Sequence, residues 1–368
     1  MKIVFICGSV EPGKNGVGDY SRRLCSALIH QGVAAEILSL NDKHIKTTVS
    51  EIQENDGNLI KVKRIPISAG FRQRLDWTSR YLKEVQPDWI SLQYVPYSFD
   101  LKGIPFWLPV FLKKIRGPYK CHIMFHELAT PGITIKNKLY RFVQIQLLKS
   151  IVSNLKPKVV HTHTPFYLKL LSDWNIKAKP LPVFSNIKKV DFTDFSKDNS
   201  SFKIGLFSRV KSTDKIIQVL EHLSLFLKKN NKTLQIVFLG GEKAAIENFQ
   251  KKTIQIKKID AKIIIKGFLK DKIISEELQK LDLGITPVPI HALGKSGSVA
   301  AFLEHGIPII APEITNRKGL NKVGFLSDLE KKYLINDDQF NTLKHTEKLP
   351  KINNLNETTK LFMALLNS

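Results

Sequence analysis

Two cationic side chains and a string of small residues mark places where this chain could bind a diphosphate. Arg209 and Lys215 follow a strand-like run, and arginine supplies a planar fork of donors while lysine supplies a compact charge. A second segment, 295–298, precedes a helical run and offers backbone N–H groups and the positive end of a helix dipole. Its residues are Lys295, Ser296, Gly297 and Ser298. Ordinary N-capping by one serine would explain only part of this string.

A glycine-rich loop follows the first strand-like run. The segment Gly16, Val17 and Gly18 predicts irregular backbone, with a helix that begins near Asp19. A P-loop is not favoured, because Asn15 stands where a Ser or Thr should hold Mg²⁺. A strand-to-helix turn that needs positive φ is one explanation. Close approach of a ligand to the backbone is the other, and it accounts better for so many glycines.

Histidines occur where strand-like runs end. His126 precedes Glu127, and His161 and His163 form a His-x-His sequence. A metal site is not favoured, since no third ligand is visible nearby. We interpret His126 as a polar group directed into a cleft, with a buried, hydrogen-bonded histidine as the alternative for all three.

Short apolar runs alternate with stretches of helical length, which predicts parallel sheets with crossover helices. We expect an α/β protein with two Rossmann-like domains that face each other across a cleft. The predicted parts are an N-terminal domain at 1–185, a linker at 186–201, a second domain at 202–352 and a C-terminal helix at 353–368. Helices are predicted at 18–31, 71–86, 136–155, 164–174, 212–229, 271–280, 297–305 and 354–366.

The composition is that of a globular protein with an unusual charge. Of 368 residues, 43% are hydrophobic and 24% are charged, and the net charge is +24. Residues 1–190 carry 29 basic and 13 acidic side chains, so most of the excess lies in the first half. This asymmetry favours an anionic partner for that half.

Cysteine content and hydropathy bear on location. The three cysteines are far apart, which fits a reducing cytoplasm rather than a disulfide framework. No apolar run reaches the length of a membrane span. We therefore expect a cytoplasmic protein, with peripheral association on the inner face of the membrane as a further expectation.

The motifs of this chain, taken in order, resemble those of family-4-like glycosyltransferases of the GT-B fold. The similarity covers about residues 1–312 and depends on the order of NGVGDYSRRLCSAL, QYVPYSF, FHEL, FSRV, KGFL and EHGIPIIAP. The resemblance implies an acceptor-side N-terminal domain and a second domain that binds a nucleotide sugar. It also implies retention of anomeric configuration, without a metal or other cofactor.

The resemblance also implies roles for individual residues. By position, His126 would contact the donor sugar, while Arg209 and Lys215 would neutralise the leaving diphosphate. Backbone contacts to the donor would come from Gly16, Val17 and Gly18 near the phosphates, and from Gly267, Phe268 and Leu269 beside the base. Lys295 and Ser296 are expected to bind the phosphates.

One feature of the family pattern is missing. Members often carry two glutamates eight positions apart, and the matching positions here hold Leu293 and Ala301. Glu304 is the nearest carboxylate and is out of register by almost one helical turn, so we count it among the donor-binding candidates without the usual ribose role.

The expected function is sugar transfer from a nucleoside diphosphate sugar to a saccharide or lipid-linked acceptor in cell-envelope or polysaccharide assembly. Two alternatives stay open: a non-catalytic GT-B homologue that binds or scaffolds, and a basic protein that binds nucleic acid. Nucleic acid is not expected as a partner, because the basic residues are scattered and no nucleic-acid-binding motif occurs.

An anionic membrane surface is a further expected partner. Aromatic and apolar residues lie beside basic ones in two segments, at 106–120 and 136–149. If these faces were exposed, rings could enter the headgroup region while the cations meet anionic lipid. The apolar members are Phe106, Trp107, Leu108 and Phe111, and the basic members of the first segment are Lys113, Lys114, Arg116 and Lys120. The alternative is a core helix with solvated ends.

Overall fold

The structure, a computed structural model, describes residues 1–130, 134–192, 200–256, 259–312, 326, 328–335 and 354–367. The chain divides into two compact units. The first comprises Met1–His163, Tyr167–Pro182 and Leu355–Ser368, and the second comprises Thr164–Phe166 and Val183–Asn354. The prediction of an α/β protein with two Rossmann-like domains is confirmed.

The first unit is built on an eight-stranded sheet in the order β3-β4-β2-β1-β5-β6-β7-β8. All neighbouring strands are parallel except β3, which pairs antiparallel with β4. The strands are β1 (Lys2–Cys7), β2 (Ala34–Asp42), β3 (Val49–Asn55), β4 (Asn58–Pro66), β5 (Trp89–Tyr94), β6 (Lys120–Phe125), β7 (Val159–Thr162) and β8 (Lys179–Pro180). Strands β1 and β5 are buried almost throughout, which is why they read as continuous apolar runs.

Helices connect these strands. They are α1 (Gly16–His30), α2 (Phe71–Val85), α3 (Pro96–Phe99), α4 (Trp107–Lys114), α5 (Ile135–Leu155) and α6 (Pro165–Asp173). The long helix α5 begins at the Thr134 cap, whose side chain accepts the Asn137 N–H, and it ends at Lys156 in the left-handed region.

The second unit contains a parallel five-stranded sheet in the order β11-β10-β9-β12-β13. Its strands are β9 (Ser201–Phe207), β10 (Thr233–Leu239), β11 (Ala261–Gly267), β12 (Leu283–Ile285) and β13 (Ile309–Ile310). Its helices are α7 (Asp214–Lys229), α8 (Lys243–Gln255), α9 (Asp271–Gln279), α10 (Gly297–Glu304) and α11 (Asp328–Tyr333), with a 3₁₀ helix at Ile290–Lys295.

The chain returns to the first unit at its end. Helix α12 (Asn354–Asn367) buries Phe362, whose ring stacks on Phe5 with centroids 5.9 Å apart. The Thr358 hydroxyl donates to the Pro182 carbonyl. Residues 193–199 of the predicted linker, and position 352 where the second domain was predicted to end, lie outside the described residues.

Candidate functional site

In the second unit, polar groups collect where parallel strands end. Arg209 follows β9 and is exposed, and Ser208 before it has a φ of 65°. The Ser208 N–H donates to the Leu239 carbonyl at the end of β10, which fixes the turn. Because carboxyl ends of neighbouring parallel strands share one edge of a sheet, Arg209 lies at an edge where α/β sheets commonly bind ligands.

Lys215 is positioned by a capped helix. The Thr213 hydroxyl accepts the Ile216 N–H, so α7 begins directly after it and Lys215 falls in the first turn. The side chain is half-buried, and Arg209 and Lys215 make no ion pair with any residue for which the structure gives a position. Both cations belong to the segment that leads from β9 into the first turn of α7, and their joint contact with a diphosphate stays a prediction.

The segment after β11 reaches the same edge. Gly267 has a φ of 64°, and Phe268 beside it is 88% exposed, while Leu269 packs into the apolar core. A Cβ added at Gly240 would lie 3.9 Å from the Ser208 Cα and 4.0 Å from the Phe268 ring. The turns after β9, β10 and β11 are thus in contact, and the exposed ring is available for stacking.

The segment 295–298 lies after β12, at the start of α10. Ser296 is the N-cap, and its Oγ accepts the Val299 N–H and lies 3.0 Å from the Ser298 Oγ. Lys295 ends the 3₁₀ helix, and Gly297 is the first residue of α10. The capping explanation accounts for Ser296, and the half-buried Lys295, Gly297 and Ser298 stay candidates for phosphate contact.

The positions that match the family glutamates are apolar and fully buried. Leu293 and Ala301 are each 0% exposed in the core of the second unit. Glu304 is also buried, and its carboxylate accepts the Ser185 N–H at 2.8 Å. This contact ties the chain after Pro182 to α10, so Glu304 has a structural role.

In the first unit, the prediction for the glycine-rich loop was wrong. Helix α1 begins at Gly16 rather than near Asp19, because the Asn15 side chain accepts the N–H groups of Val17 and Gly18. A Cβ on Gly18 would lie 2.6 Å from the Ser9 carbonyl oxygen, so this glycine is needed for close packing of the helix on the loop. Donor contacts from Gly16, Val17 and Gly18 stay a prediction.

A buried ion network holds that loop. The Asp42 carboxylate is 0% exposed and accepts from Arg64 at 2.9 Å and from the Val10 N–H. Arg64 also contacts Glu11 within the loop at 2.6 Å. Burial alone would raise the pKa of Asp42, but the hydrogen bonds from Arg64, His44 and Val10 hold it below its usual value.

His126 follows β6 and is buried, with both ring nitrogens engaged. Its Nε2 lies 2.9 Å from Gln93 Oε1, and its Nδ1 lies 2.9 Å from His163 Nε2. The Tyr20 ring packs edge-on against both imidazoles. His126 is thus a buried, hydrogen-bonded histidine, the alternative that the sequence left open, because the ends of β5, β6 and β7 are adjacent and bring partners to the ring. Its contact with a donor sugar stays a prediction.

The His-x-His pair is split between two environments. His161 Nδ1 lies 2.9 Å from His122 Nε2, whereas His163 Nδ1 lies 3.0 Å from the Leu181 carbonyl. Burial lowers the pKa of His161 to about 4 and that of His122 well below its usual value. Among the residues with described positions, no group of three His, Cys, Asp or Glu side chains could hold a metal ion.

The predicted membrane-facing set is partly wrong. Leu108 and Phe111 are 0% exposed and belong to the core, because α4 packs against α2 and α5. Phe106 is exposed, and Trp107 is half-buried. The apolar side chains that do reach the surface of this region are Leu101, Phe106, Val110, Ile135, Leu139 and Phe142. None of the helices in the described ranges has the length and apolarity needed to cross a bilayer.

Sequence reasoning missed the partners of His126. Gln93 entered the sequence analysis only as part of the QYVPYSF motif, and His163 only as a disfavoured metal ligand or a buried, hydrogen-bonded histidine with no partner named. Both stand at or just beyond the ends of strands next to β6, and that placement was the available signal.

The structure was compared with those of known proteins. It is similar to the catalytic domain of starch synthase IV from Arabidopsis thaliana, bound to ADP and acarbose, with 13% identity, a TM-score of 0.57 and coverage of 100% of this chain and 99% of that one. The lipopolysaccharide outer core galactosyltransferase WaaB has 14% identity, a TM-score of 0.55 and coverages of 100% and 99%. The UDP-GlcNAc 2-epimerase from Methanocaldococcus jannaschii has 12% identity, a TM-score of 0.55 and coverage of 100% of both chains.

No protein-family model matches the chain, and no curated protein matches its sequence. At these identities the comparisons establish the fold. The chain has the GT-B fold, as the sequence resemblance implied.

Proposed function

We propose that this chain is a glycosyltransferase that moves a sugar from a nucleoside diphosphate sugar to a saccharide or lipid-linked acceptor in cell-envelope or polysaccharide assembly. The observation that carries the proposal is the edge of the second sheet, where Arg209, Lys215, the exposed Phe268 ring and the start of α10 follow neighbouring strands. The fold supports it, since it is shared by WaaB, a galactosyltransferase by name, and by starch synthase IV, whose structure holds ADP and acarbose.

The chemical requirement is stabilisation of a leaving diphosphate. When the bond between the anomeric carbon and the β-phosphate oxygen breaks, negative charge grows on that oxygen, and fixed cations lower the barrier. Arg209 and Lys215 are the groups we assign to this charge. We propose a retaining reaction that needs no metal, with Lys295 and the α10 N-terminus as further phosphate contacts.

A second candidate is a sugar-nucleotide epimerase. It is favoured by the similarity to the 2-epimerase, whose name gives a UDP-linked sugar as its substrate. Both candidates need a nucleoside diphosphate site and differ in the product, so product analysis separates them.

We also propose that the first unit binds to the inner, cytoplasmic face of an anionic membrane. Residues 101–172 contain 12 Lys and Arg but a single acidic residue, Glu127. Within this segment, Ile135, Leu139 and Phe142 are 87%, 65% and 59% exposed, and their spacing places them along one side of α5. We call the exposed residues from Leu101 to Arg116, together with those of α5, the α4–α5 surface.

The chemistry of this surface fits a lipid headgroup layer. Exposed apolar side chains enter the boundary between headgroups and acyl chains, and each nearby cation contributes about 1 kcal/mol toward anionic lipid. Exposed lysines of α4 and α5 lie beside the apolar stripe, at Lys113, Lys114, Lys136 and Lys138. The acceptor of a membrane-bound reaction would then be reached from the first unit.

A thermal-shift panel tests the donor site directly. The chain is heated with UDP, GDP, ADP or dTDP, and we expect at least one of them to raise the unfolding temperature. A ligand at about 100 times its dissociation constant stabilises the folded state by about 2.7 kcal/mol. The same concentration of pyrophosphate is the control for unspecific anion binding. An unchanged unfolding temperature with all four nucleotides contradicts the proposal.

A further inference from the structure

Four histidines of the first unit belong to one hydrogen-bonded chain. At one end His163 Nδ1 lies 3.0 Å from the Leu181 carbonyl oxygen, and His163 Nε2 lies 2.9 Å from His126 Nδ1. His126 Nε2 lies 2.9 Å from the side-chain oxygen of Gln93. Both outer nitrogens of the His126–His163 pair thus face carbonyl oxygens.

The number of protons on this pair follows from its contacts. A carbonyl oxygen only accepts, so each outer nitrogen must carry a hydrogen. The contact between the two rings needs one more hydrogen. With the Gln93 oxygen turned toward His126, the pair holds three N–H hydrogens, one more than two neutral imidazoles have, and so one positive charge.

The chain continues beyond Gln93. The Gln93 amide nitrogen donates to Ser91 Oγ at 2.7 Å, and Ser91 Oγ lies 2.7 Å from His122 Nδ1. His122 Nε2 lies 2.9 Å from His161 Nδ1, and His161 Nε2 has no partner within the described part of the chain. Because Ser91 accepts from Gln93, its own hydroxyl donates to His122, and His122 and His161 then carry their hydrogens on Nε2.

Loss of the extra proton leaves the bond to the Leu181 carbonyl unchanged but requires the bonds from His126 Nε2 through Gln93, Ser91 and His122 to His161 to reverse. The Leu181 carbonyl is backbone and cannot turn, so His163 keeps its Nδ1 hydrogen and His126 keeps only the hydrogen on Nδ1. The bare Nε2 of His126 then needs a donor, which Gln93 supplies when its amide rotates by half a turn. Ser91 donates to the rotated amide and accepts from His122, so His122 and His161 now carry their hydrogens on Nδ1.

We propose that Gln93 is a positioning residue that keeps the His126–His163 pair positively charged and couples this charge to the tautomers of His122 and His161. The consequence for catalysis rests on the proposed function. The resemblance implies that His126 contacts the donor sugar, so a charged imidazole would lie beside that sugar. Among the residues with described positions, the titratable groups next to the pair include Tyr20 from α1, which is in ring contact with both imidazoles, and Glu127, which follows His126 in the chain. Burial raises the pKa of Tyr20, so its ring stays neutral.

Nitrogen NMR of the histidine rings tests the proposal. Long-range proton–nitrogen spectra of the ¹⁵N-labelled chain show which ring nitrogen carries hydrogen, over a range from about pH 5 to pH 9. At the acid end we expect three N–H hydrogens on the His126–His163 pair and Nε2 hydrogens on His122 and His161. As the pH rises and the pair loses its extra proton, the hydrogens of His122 and His161 should move from Nε2 to Nδ1. All these changes should have the same midpoint pH. A pair that is neutral at the acid end, or a His122 tautomer that does not change with the pair, overturns the proposal.

Gln93→Glu gives a second, independent outcome. A carboxylate accepts from both His126 and Ser91, so the pair keeps its charge while His122 and His161 carry their hydrogens on Nδ1. The pH at which the His126–His163 pair loses its extra proton should rise by about 1–3 units, because an adjacent negative charge favours the protonated pair. Gln146→Glu, an exposed change of the same type on α5, should leave all tautomers unchanged. A Gln93→Glu chain whose His122 stays in the Nε2 form contradicts the coupling.

The two proposals can fail separately. The spectra need no nucleotide or acceptor, so they decide the coupling even if no transfer is observed. If both hold, the pH at which kcat falls moves upward in Gln93→Glu, while KM for the donor changes less.

Discussion

Arg209 has the surroundings of a ligand-binding cation rather than a structural one. It is exposed at the end of a buried strand, and no carboxylate of the described chain neutralises it. Arg64 is the opposite case, since Glu11, Asp42 and Glu51 surround its guanidinium. We therefore assign the phosphates to Arg209, which lies beyond a strand end and has no carboxylate partner among the residues with described positions.

Replacing Arg209 by Ala should lower kcat about 10²- to 10³-fold. This is the usual loss when a group that stabilises growing charge in the transition state is removed. Its unfolding free energy should change little, because the side chain is exposed. The measurements are initial rates with a saturating donor and chemical denaturation of the same variant.

Lys211→Ala is the matched control. Lys211 is an exposed cation two residues further along the same loop, and its removal should leave turnover near that of the unaltered chain. Equal losses in the two variants would mean that general positive charge, rather than Arg209, supports the reaction.

Residue types at strand ends could be predicted from sequence, but their contacts could not. The sequence placed His126, His161 and Arg209 after apolar runs, and the structure finds them at or beside the ends of β6, β7 and β9. It did not give the order of strands in the sheet. That order decides that Gln93 and His163 meet His126 while His161 meets His122.

At the scale of the element, the first turn of α1 shows how two nearby glycines differ. Gly18 packs against backbone atoms of the loop, whereas a Cβ on Gly16 would meet nothing within 4 Å. The loop itself is held by Asp42 and Arg64. The close contact at Gly18 is therefore a condition for the observed position of the loop.

Gly18→Ala should destabilise the chain by about 1–3 kcal/mol, because the Ser9 carbonyl or the helix must move. Gly16→Ala is its control and should be neutral or stabilising by about 0.4–1 kcal/mol, since the unfolded chain loses freedom and no contact is disturbed. Urea denaturation of both variants measures the difference. A Gly18→Ala chain as stable as the unaltered one would show that the loop is free to move.

The bounds of some helices were predicted closely, whereas a polar strand and the first residue of α1 were not. The structure has α2 at Phe71–Val85 and α9 at Asp271–Gln279, close to the predicted 71–86 and 271–280. Strand β3 was missed because most of its side chains are polar, including the buried Gln53, and give no apolar run. The start of α1 was misplaced because glycines suggested irregular backbone, whereas the Asn15 cap decides where the helix begins.

For the molecule as a whole, the distribution of charge predicts where the protein binds. The +24 charge is concentrated in the first half, and the α4–α5 surface combines it with exposed apolar side chains. Flotation with vesicles should show binding that requires anionic lipid and weakens as salt rises. Changing Lys113, Lys114 and Arg116 together to Glu should abolish flotation of the protein with anionic vesicles.

A control with the same change of charge uses the second unit. Lys228, Lys229 and Lys251 are exposed there, and their joint replacement by Glu should leave most of the binding intact. Equal binding to neutral vesicles, or equal losses in the two triple variants, would contradict a specific α4–α5 surface.

Analysis of the reaction product tests whether this chain transfers a sugar. The chain is incubated with the sugar form of the nucleotide that stabilises it most and with an alkyl glycoside as acceptor, and the products are identified by mass spectrometry and NMR. We expect release of the nucleoside diphosphate together with a new glycoside whose anomeric configuration matches that of the donor. An intact nucleotide sugar, whether unchanged or carrying an epimerised sugar, would contradict it.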